Sequence, residues 1–450
     1  MTSLKMALYV GVLSAIYGLL RLTALTGWIQ EVAVVVTALI LTSVAMDTLR
    51  HFMPREVMSD LQGKAVFITG CDTGFGNSVA RRLDALGLRV FAGCLFPEGE
   101  GARTLQHDCS RQLTVVPCDV TSQSQVDSAV LLVRALLKED KLHAIVNNAG
   151  VFTMSEVEWC TLEMYRRLFE VNCLGAIRVT KAFLPLVRSH GQGGRVVIVA
   201  SLAGRYTIPG LSAYSVSKHA TISFADALRR EMAKFGVTVH TVEPGTYRTP
   251  ILSEEVLEGT VKKDWEAAGE EVRSTYGEQY RDEFKVKFLS ELKNARPASK
   301  IYEVVDDILD AVVGTEPRCR YVPSVAGTLR STIMQALPTT VVDSMLQKRT
   351  CPPTPPAAVI KQREWRLKNP YTDPKTKQKP FLKRYLSVPM FEKAPLTPTA
   401  APGKPFFGKA GGASNAGIDV AAVPNVSSAA TQPLKEEDEG TASVTDKKTE

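Results

Sequence analysis

Between Thr69 and Asn77 the chain reads T-G-C-D-T-G-F-G-N, with Gly70, Gly74 and Gly76 inside seven residues. The apolar run before it, residues 65–69, reads as a buried strand, and residues 77–86 read as a helix. Glycines at such a strand-to-helix passage let the backbone turn tightly and approach a ligand. The free N–H groups and positive dipole end of the helix then suit an anion. A glycine pattern alone carries little, but the strand–turn–helix context is the one that gives it meaning. Gly70, Thr73, Gly74, Phe75 and Gly76 are therefore candidate contacts to the pyrophosphate of a dinucleotide. A unit of this kind needs parallel strands beside it, and that requirement constrains the rest of the chain.

Those strands are present as short apolar runs at residues 89–93, 113–117, 144–146, 196–200 and 238–242, with a last edge strand at 320–322. Helical patterns lie between them, at 124–137, over a long amphipathic stretch at 164–188 that carries Asn172, from Tyr214 onward, and at 301–313. Strands alternating with helices at this spacing predict a doubly wound parallel sheet of the Rossmann type, covered on both faces. In such a sheet an acid commonly ends the second strand and grips the adenine ribose. Cys94 stands there instead, followed by Leu95 and Phe96. No Arg or Lys lies near enough to hold a 2′-phosphate, and Asp72 would repel one, so NAD is favoured over NADP. Asp119 can reach an adenine amino group, Val120 follows it, and Asn148, Ala149 and Gly150 suit a backbone wall against the cofactor.

Ser201 follows the fifth strand, Tyr214 comes thirteen residues later, and Lys218 four residues after that. Spacing i, i+4 puts Tyr214 and Lys218 on one helix face, about 6 Å apart at Cβ. An ammonium favours the phenolate, so the Tyr214 pKa is expected to fall from about 10 toward neutrality. A phenol tuned in that way exchanges a proton with an alcohol or ketone while Ser201 hydrogen-bonds the reacting oxygen.

Taken together, Thr69-Gly70-x3-Gly74-x-Gly76, Asp119, Asn147-Asn148-Ala149-Gly150, Asn172, Ser201, Tyr214-x3-Lys218 and Pro244-Gly245 resemble the short-chain dehydrogenases/reductases in order and spacing. The resemblance covers roughly residues 63–345. The Cys71-Asp72-Thr73-Gly74-Phe75-Gly76 loop and Glu243-Pro244-Gly245 are similar to a membrane-associated branch. That branch holds retinol dehydrogenases, the type 2 11-beta and 17-beta steroid dehydrogenases, and (R)-3-hydroxybutyrate dehydrogenase. The resemblance implies Tyr214 as acid/base, Ser201 as orienter, Lys218 also on the nicotinamide ribose, and Asn172 holding a proton-relay water. Cys94, Pro244 and Gly245 join the implied cofactor contacts. It implies that residues 246–294 cover a substrate, with Arg205, Tyr206, Tyr247 and Trp265 as candidates for its pocket, and it allows a homo-oligomer. The expected substrate is a small lipophilic secondary or allylic alcohol or ketone, such as a steroid or retinoid. Hydroxybutyrate is the rival and would need a cation, for which Arg205 is the obvious candidate; a non-catalytic NAD-binding scaffold is the remaining alternative.

The ends of the 450-residue chain differ from this middle. Residues 6–20 and 32–46 are apolar and free of charge, which predicts a membrane anchor over 1–55. It would be a hairpin turning at Thr26, Gly27 and Trp28, or a single span. A cleaved signal peptide fits less well, since no small-residue cleavage site precedes the second run. The hairpin would leave the catalytic domain, 60–347, in the cytosol, which suits eight cysteines without a C-x-x-C pair. The endoplasmic reticulum is favoured, with a mitochondrial membrane as alternative. Residues 348–393 hold twelve Lys or Arg against three acids, so the net charge of +7 lies largely outside the core. The stretch 348–450 reads as a Pro-rich, basic, disordered tail. The apolar, Pro-interrupted run 329–346 would lie on a membrane or pack on the core. No metal-ligand spacing, repeat or nucleic-acid motif occurs.

Overall fold

The computed structural model describes residues 26–368, apart from 50, 53–54 and 190–192. Helix α1, Thr26–Leu49, comes first. The α/β core then runs β1 (Lys64–Thr69), α2 (Gly74–Ala85), β2 (Arg89–Cys94), α3 (Glu100–Asp108), β3 (Leu113–Pro117), α4 (Gln123–Leu137) and β4 (Lys141–Asn147). Its second half runs α5 (Leu162–Phe169), α6 (Ala176–Arg188), β5 (Arg195–Val199), α7 (Ser212–Met232) and β6 (Thr238–Val242). After these come α8 (Glu254–Ala267), α9 (Glu270–Tyr276), α10 (Glu278–Lys293), α11 (Tyr302–Val313), β7 (Arg320–Tyr321), α12 (Val325–Ala336), α13 (Thr339–Thr350) and α14 (Ala357–Lys368).

The strands form one parallel sheet in the order β3-β2-β1-β4-β5-β6-β7. The five inner strands bury both faces, which is why their runs are apolar without alternation. Val66, Ile68, Val90 and Ala92 pack with Val79, Leu83 and Ile308 on one face. Ala65, Phe67 and Phe91 pack with Val133, Val179, Phe183 and Leu228 on the other. Phe67 stacks on Phe183 at 4.1 Å. Each large side chain so buried contributes about 1.5–3 kcal/mol. The chain crosses over after β3, from the sheet edge to β4 beside β1, so the carboxyl ends of β1 and β4 flank a crevice where ligands of such sheets bind.

Four expectations change. The stretch 164–188 is not one α-helix: a π-helical turn, Glu170–Gly175, separates α5 from α6 and carries Asn172. Thr26, Gly27 and Trp28 open helix α1 rather than turning a hairpin. Among the described residues no helix is long and apolar enough to cross a membrane. The charge-free run inside α1 is fifteen residues, about 22 Å of helix against a hydrocarbon core of about 30 Å. Residues 6–20, the other half of the expected hairpin, lie outside the described residues. Finally, the expected disorder from 348 is corrected for 348–368, where α13 closes, Pro352 is buried and α14 forms. There the Thr354 amide and hydroxyl donate to Glu283 at 3.0 and 2.7 Å; the rest of the basic stretch lies beyond the described residues.

Candidate active site

The glycine turn is fixed by side chains from β1 and β4. Thr69 Oγ1 accepts from the amides of Asn148 and Ala149, both at 3.0 Å. The side-chain Nδ2 of Asn148 donates to the Thr69 and Gly70 carbonyls at 2.9 and 3.0 Å. Gly70 and Gly74 take φ of +69° and +64°, which side chains beyond Cα disfavour. A Cβ on Gly76 would meet the Gly70 carbonyl at 2.3 Å, so Gly76 supports the turn from beneath and does not line the cavity in front of it. Helix α2 starts without a side-chain cap and without an acid in its first turn. Its amides therefore remain available to an anion.

A cavity of about 1250 Å³ opens above the carboxyl ends of the strands. Gly70, Thr73, Gly74, Phe75, Asp119, Val120, Asn148, Ala149, Gly150, Pro244 and Gly245 all line it. Asp119 Oδ1 is held by the Thr121 amide and hydroxyl at 2.9 and 2.8 Å. Cys94 does not line it: the thiol is buried behind the strand end, where burial pushes it up to about 12, and Leu95 and Phe96 form the wall. The Asp72 carboxylate accepts from the amides of those two residues at 3.0 and 2.8 Å, so an acid from the glycine turn shapes the exit of β2.

Ser201, Tyr214 and Lys218 meet in the same cavity. Ser201 caps the turn after β5, accepting from the Ala203 amide at 3.1 Å, and its hydroxyl is hydrogen-bonded with the Tyr214 phenol. Lys218 Nζ donates to the Val199 carbonyl at 3.1 Å and lies 5.8 Å from the Tyr214 ring centroid. The expected lowering of the phenol is overturned. Burial pushes Tyr214 up to about 12, with Ser201 pulling the other way, and burial lowers Lys218 to about 8. A charge cannot be kept cheaply on either group, and neutralising the phenolate side loses to desolvation. Asn172 stands behind the wall. Its carboxamide oxygen accepts from the Val151 amide at 2.8 Å, while its NH2 donates to the Val151 carbonyl and to Ser217 Oγ at 2.9 and 3.0 Å. It thereby locks the segment after Gly150 to α7.

Two of the four pocket candidates lie elsewhere. Arg205 turns away from the cavity into a bidentate ion pair with Glu243, its Nη2 2.6 Å from Oε1. Trp265 is 4% exposed, edge-on to Trp159 at 4.7 Å, inside a cluster beneath the covering helices. Tyr206 and Tyr247 do line the cavity, Tyr247 donating to Glu303 at 2.7 Å. Sequence reasoning missed most of the remaining wall. Phe152 lies edge-on to Tyr214 at 4.9 Å, Phe284 and Phe288 come from α10, and Leu329, Ile333 and Met345 from α12 and α13. The apolar pattern of 329–346 was the signal for that last group, although Leu329, Ile333 and Met345 themselves stay exposed.

The pattern of the short chain dehydrogenases matches residues 64–258. Short-chain dehydrogenase/reductase family 9C member 7 of Mus musculus is 39% identical over 300 residues, 66% of this chain and 94% of that one. 17-beta-hydroxysteroid dehydrogenase type 6 of Rattus norvegicus is 39% identical over 299 residues, 66% of this chain and 92% of that one. Retinol dehydrogenase 7 of Mus musculus is 38% identical with the same coverage. With the crossover crevice and the Ser201–Tyr214–Lys218 cavity already in place, these matches decide the class: the chain belongs to the short-chain dehydrogenases. It is an oxidoreductase acting on CH–OH groups with a nicotinamide dinucleotide, similar to steroid and retinol dehydrogenases.

Proposed function

We propose that the enzyme interconverts a lipophilic secondary or allylic alcohol and its carbonyl, of the steroid or retinoid kind, with NAD preferred over NADP. The observation that carries this is the cavity itself. Beyond Tyr214 it is walled by Phe152, Phe284, Phe288, Leu329 and Ile333, and about 1250 Å³ exceeds what a dinucleotide head and a four-carbon acid need. Arg205, the cation on which the hydroxybutyrate reading rested, is committed to Glu243.

The residues fit the cofactor. The uncapped start of α2 and the Gly70, Thr73, Gly74 and Phe75 backbone would hold its pyrophosphate, Asp119 and Val120 its adenine, and Asn148 to Gly150 with Pro244 and Gly245 its nicotinamide half. When bound, the nicotinamide gives or takes the hydride. With a pKa of about 12, Tyr214 carries its proton at neutral pH and hands it to the carbonyl oxygen during reduction, taking it back during oxidation. Ser201 holds that same oxygen. Lys218, on the next turn of α7, holds positive charge near the phenol below about pH 8 and would meet the ribose. Asn172 fixes the floor. Asp72 favours NAD, because it lines the cavity beside Leu95 and Phe96, where its negative charge disfavours a 2′-phosphate.

Membrane association belongs to the same proposal. Trp28, Val32, Val34, Val35, Val36 and Leu39 of α1 are exposed, Trp28 at 80%, a patch that water disfavours and a lipid surface covers. The endoplasmic reticulum is the favoured membrane. Purified full-length chain with NAD or NADP and a panel of steroids, retinol and hydroxybutyrate, read as NADH or NADPH absorbance, tests the reaction. Turnover of hydroxybutyrate alone would overturn the substrate class. Carbonate-washed membranes should retain the chain, and removal of residues 1–59 should release it; a full-length chain found in the supernatant refutes the anchor.

A further inference from the structure

Glu243 is fully buried, yet nothing above gives it a role. It sits between the end of β6 and Pro244, and three side chains converge on it. Arg205 donates to both its oxygens, Nη2 to Oε1 at 2.6 Å and Nε to Oε2 at 3.1 Å. Arg320 of β7 donates to Oε2 at 2.8 Å and Thr241 to Oε1 at 3.1 Å. Arg320 also reaches the hydroxyl of Ser331 on α12 at 2.9 Å. A buried carboxylate held by two guanidinium groups is costly to desolvate and is weak evidence for stability. Its placement is informative instead.

The next peptide carbonyl, that of Pro244, accepts from the Leu202 amide at 3.0 Å and from Ser201 Oγ at 3.5 Å. Arg205 ends the short turn that begins at Ser201. The chain thus closes a ring: Ser201 to Arg205, Arg205 to Glu243, Glu243 to Pro244, and Pro244 back to Ser201. Through Arg320 and Ser331 the ring extends to α12, whose Leu329 and Ile333 wall the cavity. We infer that Glu243 is a positioning residue, which sets the Ser201 hydroxyl against Tyr214 and registers the substrate wall of α12 to it. The inference rests on the dehydrogenase reading of Ser201 and Tyr214. A carboxylate does this better than an amide, because only it can receive Arg205 in the two-pronged geometry and Arg320 at once.

The test is Glu243→Gln in the full chain, measured with the alcohol that the wild type turns over best. The expected result is a fall in kcat of at least about tenfold, since a displacement of the orienting hydroxyl by about 1 Å costs up to about 10²-fold. The Kd for NAD, read by protein fluorescence, should change less than kcat, because only Pro244 and Gly245 of the cofactor contacts adjoin the ring and the glycine turn does not. Gln leaves Arg205 without its counter-charge, which by itself destabilises the fold. The double variant Glu243→Gln/Arg205→Gln therefore separates the roles: its melting midpoint should move back toward wild type while kcat stays low. Ser331→Ala cuts the outer arm, together with a bond from Gln335 Nε2 within α12, and should raise KM for a bulky substrate severalfold with kcat unchanged. Recovery of kcat together with the melting midpoint in the double variant, or wild-type kcat in Glu243→Gln alone, overturns the inference. The dehydrogenase reading fails in the wild type alone, whereas this inference fails only in the variants, so the two failures are distinct.

Discussion

The two halves of the cavity are built by different means. The cofactor side is made of backbone: strand ends and glycines, pinned by Thr69 and Asn148 through five hydrogen bonds between adjacent strands. The substrate side is made of side chains from α10, which follows β6, and from α12 and α13, which follow β7, and these helices share no ladder with one another. A backbone wall tolerates almost no added atom, whereas a side-chain wall can repack. The proposed chemistry sits at the seam, where Tyr214 and Lys218 rise from α7 and Ser201 from the turn after β5. The enzyme thus pairs a fixed dinucleotide site with an adjustable substrate site.

The seam should show the largest effect. Tyr214→Phe removes the proton donor and leaves the ring in contact with Phe152, so kcat should fall by about 10²–10⁴-fold while NAD affinity and melting midpoint hold. A Phe variant within a few-fold of wild type would mean that proton transfer does not pass through α7. The same buried pair predicts a pH signature of stability. Lys218 titrates near 8 folded against 10.5 unfolded, so the unfolded chain binds more protons in that window and stability should rise as pH climbs from 8 to 10.5. Tyr214 has the opposite sign, its contribution being lost between about 10 and 12. Denaturant titrations of wild type and Lys218→Met across pH 7.5–10 should show a rise, on the order of 2–3 kcal/mol, in the wild type only. Parallel curves would show that the ammonium is solvated.

On the backbone side, Gly76→Ala places a methyl 2.3 Å from the Gly70 carbonyl and 2.5 Å from the Asn148 amide nitrogen. Neither can yield without opening the turn. Overpacking of this kind costs about 1–3 kcal/mol, which should weaken NAD binding by about 10–100-fold in a fluorescence titration. Unaltered affinity would mean that this wall adapts as the substrate side does, and the contrast between the halves would dissolve.

The same contrast explains what could be read in advance. Thr69, Gly70, Gly74, Asn148, Tyr214 and Lys218 each do a job set by local geometry, so residue type and spacing revealed them. The parallel sheet followed from apolar runs buried on both faces, though not the order of its strands. Arg205 misled because its partner, Glu243, is 38 residues away on the neighbouring strand's end, and sequence shows a charge without showing what neutralises it. Trp265 misled because an aromatic on a covering helix serves a cluster as readily as a cavity. The tuning of Tyr214 was read with the wrong sign, since the i, i+4 ammonium is visible in sequence and the depth of burial is not. Asn172 was placed on an unbroken helix because a single π turn leaves the apolar periodicity nearly intact.

The smallest effect belongs to the C-terminal strap, where composition suggested a solvated tail. Pro352 is buried, and Thr354 ties the strap to Glu283 of α10, two hydrogen bonds that also hold the Glu283 carboxyl below its usual range. Ala357, at the start of α14, lies against Gly277 between α9 and α10. The strap therefore presses on the helix that carries Phe284 and Phe288 into the cavity, but from the outside and through an exposed carboxylate. Exposed hydrogen bonds contribute little net free energy. Thr354→Val keeps the shape, removes the hydroxyl and leaves the amide bond, so α10 should loosen only slightly. The expected outcome is a KM for a bulky alcohol raised by on the order of twofold, with kcat and NAD affinity unchanged. Hydrogen exchange should report faster opening of α10 and none at the glycine turn. A variant that lost NAD affinity instead would join the strap to the rigid half and redraw the boundary between the two.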